Sequence, residues 1–168
     1  MLFINAGIGG FASVADASEA MWDQIVGINL RGCFFAAQKA LPHLADGGAI
    51  VVTGSIGSVM ALPGNAVYAA SKAGLRAVVR VLAAELLPRR IRVNMVSPGP
   101  TETPIINRNL DMPPEAVDDL RRTMIANIPM GRMGEADEIA KAVLFLASSD
   151  ASFITGAELF VDGGVVDL

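Results

Sequence analysis

Apolar residues fall into short runs and longer helical stretches that alternate along the chain. Four short runs predict strands, at residues 2–5, 49–53, 91–96 and 158–161. Four longer stretches predict helices, at residues 18–44, 66–87, 115–126 and 136–148. Strands that alternate with helices are typical of βαβ units, and strands that are apolar throughout are typical of parallel sheets covered on both faces. The pattern therefore predicts one α/β domain over residues 1–168, with helices on both faces of a parallel sheet.

A glycine-rich turn follows the first predicted strand. Residues 7–12 satisfy the pattern G-x-G-x-x-A, which holds a pyrophosphate when it follows a strand and opens a helix directly. Such a unit also needs a second strand that ends in an acidic residue about 20 positions later. Residues 29–40 are predicted to be helical instead. A nucleotide-binding unit at the start of the chain is therefore the less favoured of two interpretations.

Composition and charge exclude several classes of protein. The chain has 168 residues, of which 52% are hydrophobic, and its mean hydropathy is +0.49, so a disordered chain is excluded. Its apolar runs stop well short of the ~20 residues that a membrane-spanning helix needs. A formal net charge of −4 argues against a partner that is a nucleic acid or an anionic membrane.

Three residue types that occur once limit the possible chemistry. A single cysteine, Cys33, excludes an internal disulfide and fits a reducing cytoplasm. Cys33 and the single histidine, His43, cannot supply the usual ligand sets of a structural zinc site, so no metal is expected. Tyr68 is the only tyrosine, so any reaction that needs a phenol must use it.

Tyr68 and Lys72 are the first candidate chemical pair. They are four residues apart, so on a helix they share one face. A tyrosine ordinarily titrates near pH 10, and we expect the Lys72 ammonium and the start of the helix to lower the pKa of Tyr68. Such a phenol can exchange a proton with a substrate oxygen. Two packed side chains on a helix are the ordinary alternative for this spacing.

Two further polar residues occupy informative positions. Ser55 follows the second predicted strand, at the sheet edge where open α/β sheets bind ligands, although a serine in a turn is the ordinary interpretation. Asn29 interrupts an otherwise apolar helix, where an amide usually bonds the neighbouring backbone but can also bend the helix and hold a water.

Together these residues resemble the short-chain dehydrogenase/reductase family over nearly the whole chain. The order and spacing of Asn29, Ser55, Tyr68 and Lys72 are similar to the family's catalytic tetrad. Further segments also match family motifs: Asn5-Ala6-Gly7 after the first strand, the Pro-Gly segment at residues 97–103, the late helix after Gly131-Arg132-Met133-Gly134, and the closing strand with Thr155-Gly156 and Val161-Asp162-Gly163-Gly164.

The resemblance implies a Rossmann-like sheet and a role for each matching residue. Tyr68 would donate or accept the proton, Ser55 would hydrogen-bond the substrate carbonyl, Lys72 would bind the nicotinamide ribose, and Asn29 would anchor a water. The remaining matches would line the cofactor cleft: Asn5, Ala6, Gly7, Pro98, Gly99, Thr101 and Thr103. The implied cofactor is NAD or NADP, and the implied substrate is a small alcohol or ketone.

The resemblance begins at what corresponds to the fourth strand of the family's fold. About four strands are therefore expected. The earlier βα units of the family's fold are expected to be missing, and with them the pyrophosphate turn and the residue that selects NAD or NADP. The first strand would present an unpaired apolar edge, so we expect a poorly soluble or oligomeric chain, or one that needs a partner to supply strands. The helices at 18–44 and 66–87 are the expected contact surfaces of a homo-oligomer.

Two alternatives to an oxidoreductase remain at this stage. One is a truncated, inactive module that pairs with other subunits. The other is a serine hydrolase that uses Ser55 with His43 as base, although Thr53 replaces the glycine that a nucleophile elbow needs two positions before the serine. The segment at residues 104–133 would cover the site in such a fold, but its methionines do not identify a substrate.

Overall fold

The computed structural model describes residues 1–103 and 114–168. The strands in these residues are β1 (Leu2–Ile4), β2 (Ala49–Thr53), β3 (Arg92–Pro98), β4 (Thr101–Glu102), β5 (Gly134–Glu135) and β6 (Glu158–Val161). The α-helices are α1 (Glu19–Val26), α2 (Cys33–Ala40), α3 (Ala66–Glu85), α4 (Pro114–Ala126) and α5 (Ala136–Ala147). The bounds of β2 and β6 agree with the prediction, and those of α3, α4 and α5 lie within two residues of it.

The main sheet has four parallel strands in the order β1-β2-β3-β6. This confirms the predicted parallel α/β sheet of about four strands. The short parallel pair β4-β5 was not predicted, because two-residue strands leave no apolar run in the sequence. Within the described residues β1 is an edge strand, and its Phe3 side chain is 38% exposed.

Alternate residues of the central strands face two separate cores. Ile50 and Val52 of β2 pack in a cluster with Leu75 and Val79 of α3, and residues of α2 join the same cluster. Val51 of β2 faces the other way, into a second cluster whose other buried members are Val96, Val143, Leu146 and Ala151. The period of two along β2 thus buries both faces, which confirms helices above and below the sheet.

The stretch predicted as one helix over residues 18–44 is interrupted. Ser18 caps α1 by accepting a hydrogen bond from the Met21 amide at 3.2 Å. A π-helical turn at Gly27–Gly32 then separates α1 from α2, and a 3-10 turn at Leu41–His43 ends the stretch. Residues 29–40 are helical, so the interpretation of residues 7–12 as a pyrophosphate turn is wrong. Among the described helices, none is long and apolar enough to cross a membrane.

Candidate active site

The parallel strands bring four connecting segments to one edge of the sheet. The chain leaves β1 at Asn5, β2 at Gly54, β3 at Gly99 and β6 at Asp162. All four strands run in the same direction, so these segments lie at the carboxyl edge, where open α/β sheets bind ligands. The side chains predicted to carry chemistry should therefore lie at this edge.

The structure brings Tyr68 and Lys72 together on α3. Tyr68 lies in the first turn of the helix, and Lys72 follows one turn later. The Lys72 Nζ atom is 5.8 Å from the centroid of the Tyr68 ring and donates a hydrogen bond of 2.9 Å to the Thr53 carbonyl oxygen. Lys72 is only 3% exposed, so this ammonium is held inside the protein against the end of β2.

Ser55 lies beside Tyr68 because of a glycine between them. Ser55 starts a 3-10 turn at Ile56–Ser58, and its Oγ atom accepts a hydrogen bond of 3.1 Å from the Gly57 amide. A Cβ atom on Gly57 would lie 3.1 Å from the Tyr68 Cε1 atom and 3.4 Å from Ser55 Oγ. The missing side chain of Gly57 therefore allows the serine hydroxyl and the phenol ring to approach each other.

Burial dominates the electrostatics of the pair. It raises the pKa of Tyr68 above its ordinary value, and the hydroxyl of Ser55 acts in the opposite direction. Burial also lowers the pKa of Lys72, against a smaller effect of the Cys33 thiol. The prediction that Lys72 and the helix start lower the pKa of Tyr68 is therefore wrong, because desolvation of a phenolate outweighs them. Tyr68 is kept in its protonated form.

Asn29 holds the turn after β1 against α3. Its side chain is fully buried in the π-helical turn, where Oδ1 accepts a hydrogen bond from the Ile8 amide at 2.8 Å. Its Nδ2 atom donates to the Ile8 carbonyl at 2.9 Å and to Ser71 Oγ at 3.2 Å. Both amide donors are thus committed to the protein. The helix changes to a π-helical turn at Asn29, and the bend and the water expected there stay predictions.

The residues after β1 lie against the same cluster. Asn5 Oδ1 accepts a hydrogen bond of 2.8 Å from Thr53 Oγ1, and the Cys33 thiol lies 3.7 Å from the Ala6 carbonyl oxygen. A Cβ atom on Gly7 would lie 3.5 Å from both Asn29 Oδ1 and Lys72 Nζ. Gly7 therefore borders the buried ammonium, Asn5 and Ala6 bond its neighbours Thr53 and Cys33, and the expected contact of all three with a cofactor stays a prediction.

The Pro-Gly segment after β3 packs closely against Asp162, the residue that follows β6. A Cβ atom on Gly99 would lie 2.7 Å from Asp162 Cα, so no other residue fits there without movement. Thr101 Oγ1 donates to the Gly99 carbonyl at 2.9 Å, and Thr103 Oγ1 donates to the Thr101 carbonyl at 3.5 Å. Both threonine hydroxyls are thus bonded locally. Their expected contact with a cofactor stays a prediction, as does that of Pro98.

Two residues that support the site were missed from the sequence. Thr53 provides both the carbonyl that receives Lys72 and the hydroxyl that binds Asn5. Ser71 donates from Oγ to the Tyr68 carbonyl at 2.7 Å while it accepts from Asn29. The position of Ser71 between Tyr68 and Lys72 was the available signal. A serine inside a helix often bonds the preceding turn of its own backbone, and this serine does so.

The histidine that a hydrolase would need lies at the opposite edge of the sheet. His43 belongs to the turn before β2, and Ser55 follows that strand. Arg89, which closely precedes β3, donates to the Leu41 carbonyl at 2.8 Å, which places the His43 turn beside the amino ends of the strands. The five residues of β2 separate His43 from Ser55 by roughly 16 Å along the strand. The serine hydrolase interpretation is therefore wrong.

Comparison with known proteins agrees with this arrangement. A protein-family model described as enoyl-(acyl carrier protein) reductase matches residues 1–166. The chain belongs to the short-chain dehydrogenase/reductase family. The 3-oxoacyl-(acyl-carrier-protein) reductase of Thermotoga maritima is 39% identical over 168 residues, which cover 99% of this chain and 65% of that protein. The cyclopentanol dehydrogenase of Comamonas sp. is 40% identical over 162 residues, covering 95% of this chain and 63% of the relative.

Solved structures give the same fold. The crystal structure of the angucycline C-6 ketoreductase LanV with bound NADP matches with a TM-score of 0.89 at 32% identity, covering 98% of this chain and 62% of that one. The aldohexose dehydrogenase of Thermoplasma acidophilum matches with a TM-score of 0.89 at 31% identity, covering 98% and 66%. This confirms the Rossmann-like fold. The chain spans less than two thirds of the length of the two curated relatives, which agrees with the expected shortfall against the family.

Proposed function

We propose that these residues form the catalytic and nicotinamide-binding part of an NAD(P)-dependent oxidoreductase that interconverts a carbonyl compound and an alcohol. One observation carries the proposal. The only tyrosine of the chain lies beside the Ser55 hydroxyl and one turn before a buried lysine, at the carboxyl edge of the sheet. Burying an ammonium costs free energy unless partners compensate it, and buried titratable groups whose pKa is shifted cluster at functional sites.

The proposed mechanism assigns one task to each side chain. The Ser55 hydroxyl donates a hydrogen bond to the substrate carbonyl oxygen, and Tyr68 gives that oxygen its phenolic proton. Because burial raises the pKa of Tyr68, the phenol is protonated at neutral pH, which is the form that carbonyl reduction requires. In the direction of alcohol oxidation Tyr68 accepts the proton instead, and the raised pKa predicts an optimum at higher pH.

The residues around Lys72 fit a nicotinamide ribose. Within the described residues the hydrogen bond from Nζ to Thr53 uses one of three ammonium donors. Gly7, with no side chain, leaves space beside the same nitrogen. The other donors can therefore bind sugar hydroxyls, with Asn5, Ala6, Pro98, Gly99, Thr101 and Thr103 lining the cleft. A bound nicotinamide would supply the hydride chemistry, while the protein supplies position and protonation.

Substrate class and cofactor type are proposed only coarsely. The relatives include proteins named for reducing a 3-oxoacyl group and for dehydrogenating cyclopentanol, which favours a small alcohol or ketone here. LanV holds NADP, but the residue that selects between NAD and NADP follows an earlier strand of the family's fold. We propose NAD or NADP without choosing between them, and a cytoplasmic location on the ground of the single buried cysteine.

A homo-oligomer is the proposed assembly. The helical stretches at 18–44 and 66–87 carry large apolar side chains that are exposed, namely Trp22, Ile28, Phe34, Phe35, Val81 and Leu87. Exposed apolar patches mark interaction surfaces. The same helices position Asn29, Tyr68 and Lys72, so subunit contacts there would also stabilise the site. Sedimentation velocity would test this, because a clean monomer contradicts it.

A second candidate function follows from the edge of the sheet. In the described residues β1 pairs on one side only, and the half-exposed Phe3 lies on it. The second candidate is therefore a truncated, inactive module that pairs with other subunits through this unpaired edge strand. Binding of NADH and NADPH, followed by cofactor fluorescence, separates the two candidates. No binding to either cofactor at high concentration would favour the inactive module.

Tyr68→Phe tests the proposed catalytic role. In the full native polypeptide that contains these residues, this variant should lower turnover by roughly 100- to 10,000-fold, the usual contribution of a general acid. Cofactor affinity, measured by fluorescence on the same sample, should stay close to that of the wild type because the ring is retained. A variant that keeps its turnover would refute the role of Tyr68.

A further inference from the structure

The carboxylate of Glu158 is buried where three segments of the proposed active site meet. Glu158 begins β6, and its side chain is 8% exposed. Strand pairing places it opposite Met95 of β3, on the face of the sheet that α3 covers. The sequence predicts a strand at this position but gives no reason for a carboxylate in it. Burying an ionised carboxylate is costly unless partners compensate it, so its contacts need an explanation.

One oxygen of Glu158 joins two segments that lead into the site. Oε1 accepts a hydrogen bond of 2.6 Å from Ser97 Oγ and another of 3.1 Å from Ser58 Oγ. Ser58 ends the short turn that Ser55 begins. Ser97 directly precedes Pro98 and Gly99. The carboxylate therefore connects the turn that carries the proposed substrate-binding hydroxyl with the segment proposed to line the cofactor cleft.

The other oxygen connects Glu158 with the helix that carries Tyr68 and Lys72. Its Oε2 atom lies 2.6 Å from Arg76 Nε, an ion pair that lacks hydrogen-bond geometry, so Arg76 holds this oxygen by charge alone within the described residues. Arg76 is one helical turn beyond Lys72, on the same side of α3. Arg76 and Glu158 both line an open cleft of about 250 Å³. The Arg76 side chain is 44% exposed and so stays partly hydrated, while that of Glu158 is buried.

Ser97 also lies close to Gly54, the residue before Ser55. A Cβ atom on Gly54 would lie 2.3 Å from Ser97 Oγ, and the Gly54 amide donates a hydrogen bond of 2.7 Å to the Val96 carbonyl. We therefore expect a shift of Ser97 to displace the start of the Ser55 turn. Glu158 holds that turn from both ends, through Ser97 near Gly54 and through Ser58.

We infer that Glu158 is a positioning residue that holds the Ser55 turn, the Pro-Gly segment and helix α3 in the relative places that proton transfer to the substrate requires. The inference rests on the proposed function. Glu158 touches neither the proposed substrate nor the cofactor. It acts through Ser58, Ser97 and Arg76, and misplacing reacting groups by about 1 Å can cost 100-fold in rate.

Amide hydrogen exchange on Glu158→Gln tests the tether without any need for activity. The Gly57 amide donates to Ser55 Oγ and the Ser58 amide donates to the Ser55 carbonyl at 3.0 Å, so both report on the turn. We expect exchange at these two amides to accelerate about tenfold, while amides of α5 keep their rates. Equal acceleration in both places would show a loss of global stability only and would overturn the inference, as would no change.

Kinetics in the full native polypeptide supply the second readout. Glu158→Gln and Ser58→Ala should each lower kcat about tenfold, and the double variant should fall no further than the worse single one, because both cut the same tether. Arg76→Met should lower kcat as well. Arg80→Met is the matched control, since Arg80 is exposed one turn later and makes no ion pair within the described residues. Independent, multiplying effects of Glu158→Gln and Ser58→Ala would overturn the inference.

The two proposals fail in different ways. A wild type that shows no turnover with either cofactor would contradict the proposed function, while the local change in hydrogen exchange would still identify the tether. A wild type that turns over normally, with variants at Glu158 that keep its kcat and its exchange rates, would contradict the inference alone. Glu158→Asp adds a check, because it keeps the charge and should retain more of kcat than Glu158→Gln does.

Discussion

The carboxyl edge of the sheet and the start of α5 both hold charged side chains in hydrogen-bonded networks, but water reaches only one of them freely. At the carboxyl edge Lys72 and Asn29 are buried and bond mainly to backbone atoms. At the start of α5, Arg132 makes two hydrogen bonds to Glu138, at 2.8 and 2.7 Å, and Lys141 pairs with Asp137 at 2.6 Å. These side chains are more than a third exposed.

The size of a pKa shift does not show which of the two networks contributes more to the stability of the fold or to the proposed site. Glu138 has its pKa lowered to about 2, chiefly by its hydrogen bonds with Arg132, yet exposed ion pairs are screened by water and contribute little to stability. The pKa of Lys72 is lowered by burial. Its ammonium has few alternative partners, so a change there alters the site. Exposure, rather than the number of bonds, decides which network matters, and four predictions test this contrast.

Replacement of the two lysines should give the largest difference. Lys72→Met removes the buried ammonium, and we expect cofactor affinity to weaken and turnover to fall by at least about 100-fold, as for other removed electrostatic groups in active sites. Lys141→Met removes an exposed one and should leave both unchanged. Steady-state kinetics with fluorescence-monitored cofactor binding measures both variants. Comparable losses in the two would contradict the contrast.

Titration of Lys72 also has a stability consequence. Because burial lowers the pKa of this lysine in the folded state, the unfolded chain binds more protons as the pH approaches the ordinary value of 10.5. The free energy of unfolding therefore gains a contribution that rises with pH in that range. In urea unfolding measured between pH 8 and 10, the rise of the free energy of unfolding that Lys72 causes should be absent from Lys72→Met and present in Lys141→Met.

Two glycines give the second difference. A Cβ atom on Gly54 would lie 2.3 Å from Ser97 Oγ and 2.6 Å from Met95 Sδ, both in the buried region. Gly54→Ala should therefore lower the free energy of unfolding by about 1–3 kcal/mol, as overpacking does. Gly134, beside α5, has only ordinary contacts at 3.7 Å or more, so Gly134→Ala should change it by less than about 1 kcal/mol. Urea unfolding of both variants measures the difference, and equal losses would contradict it.

The sequence predicts the sheet well, because strands that are buried on both faces consist of apolar residues and therefore form visible apolar runs. β2 and β6 have the predicted bounds, and the residues of β2 alternate between the two cores with a period of two. The catalytic candidates are also predictable, since the spacing of Tyr68 and Lys72 on one helix is local. The π-helical turn at Gly27–Gly32 is not predictable in this way, because its buried Asn29 bonds Ile8, which lies 21 residues earlier in the chain.

The protonation state of Tyr68 and the place of Glu158 escape the sequence for a related reason. Local residues suggest a lowered pKa for Tyr68, but burial in the folded protein, which no local pattern shows, raises it. Glu158 contacts Ser58 across 100 residues and Ser97 across 61. No local pattern predicts such pairs, so the supports of the site emerge only when the strands are placed side by side.

The smallest expected effect is at Glu138. Its pKa in the folded state, about 2, lies below the ordinary value near 4.3 of an unfolded glutamate, so the contribution of the carboxylate to stability is present above about pH 4 and is lost as the pH falls toward 2. Glu138→Gln should thus melt slightly below the wild type at pH 7. The difference should vanish near pH 2, in thermal melts at low salt. Arg132→Gln removes the same pair from the other side and should show the same convergence. A difference at pH 7 as large as that of Gly54→Ala would show that this exposed network stabilises the fold as strongly as the buried one, and would end the contrast.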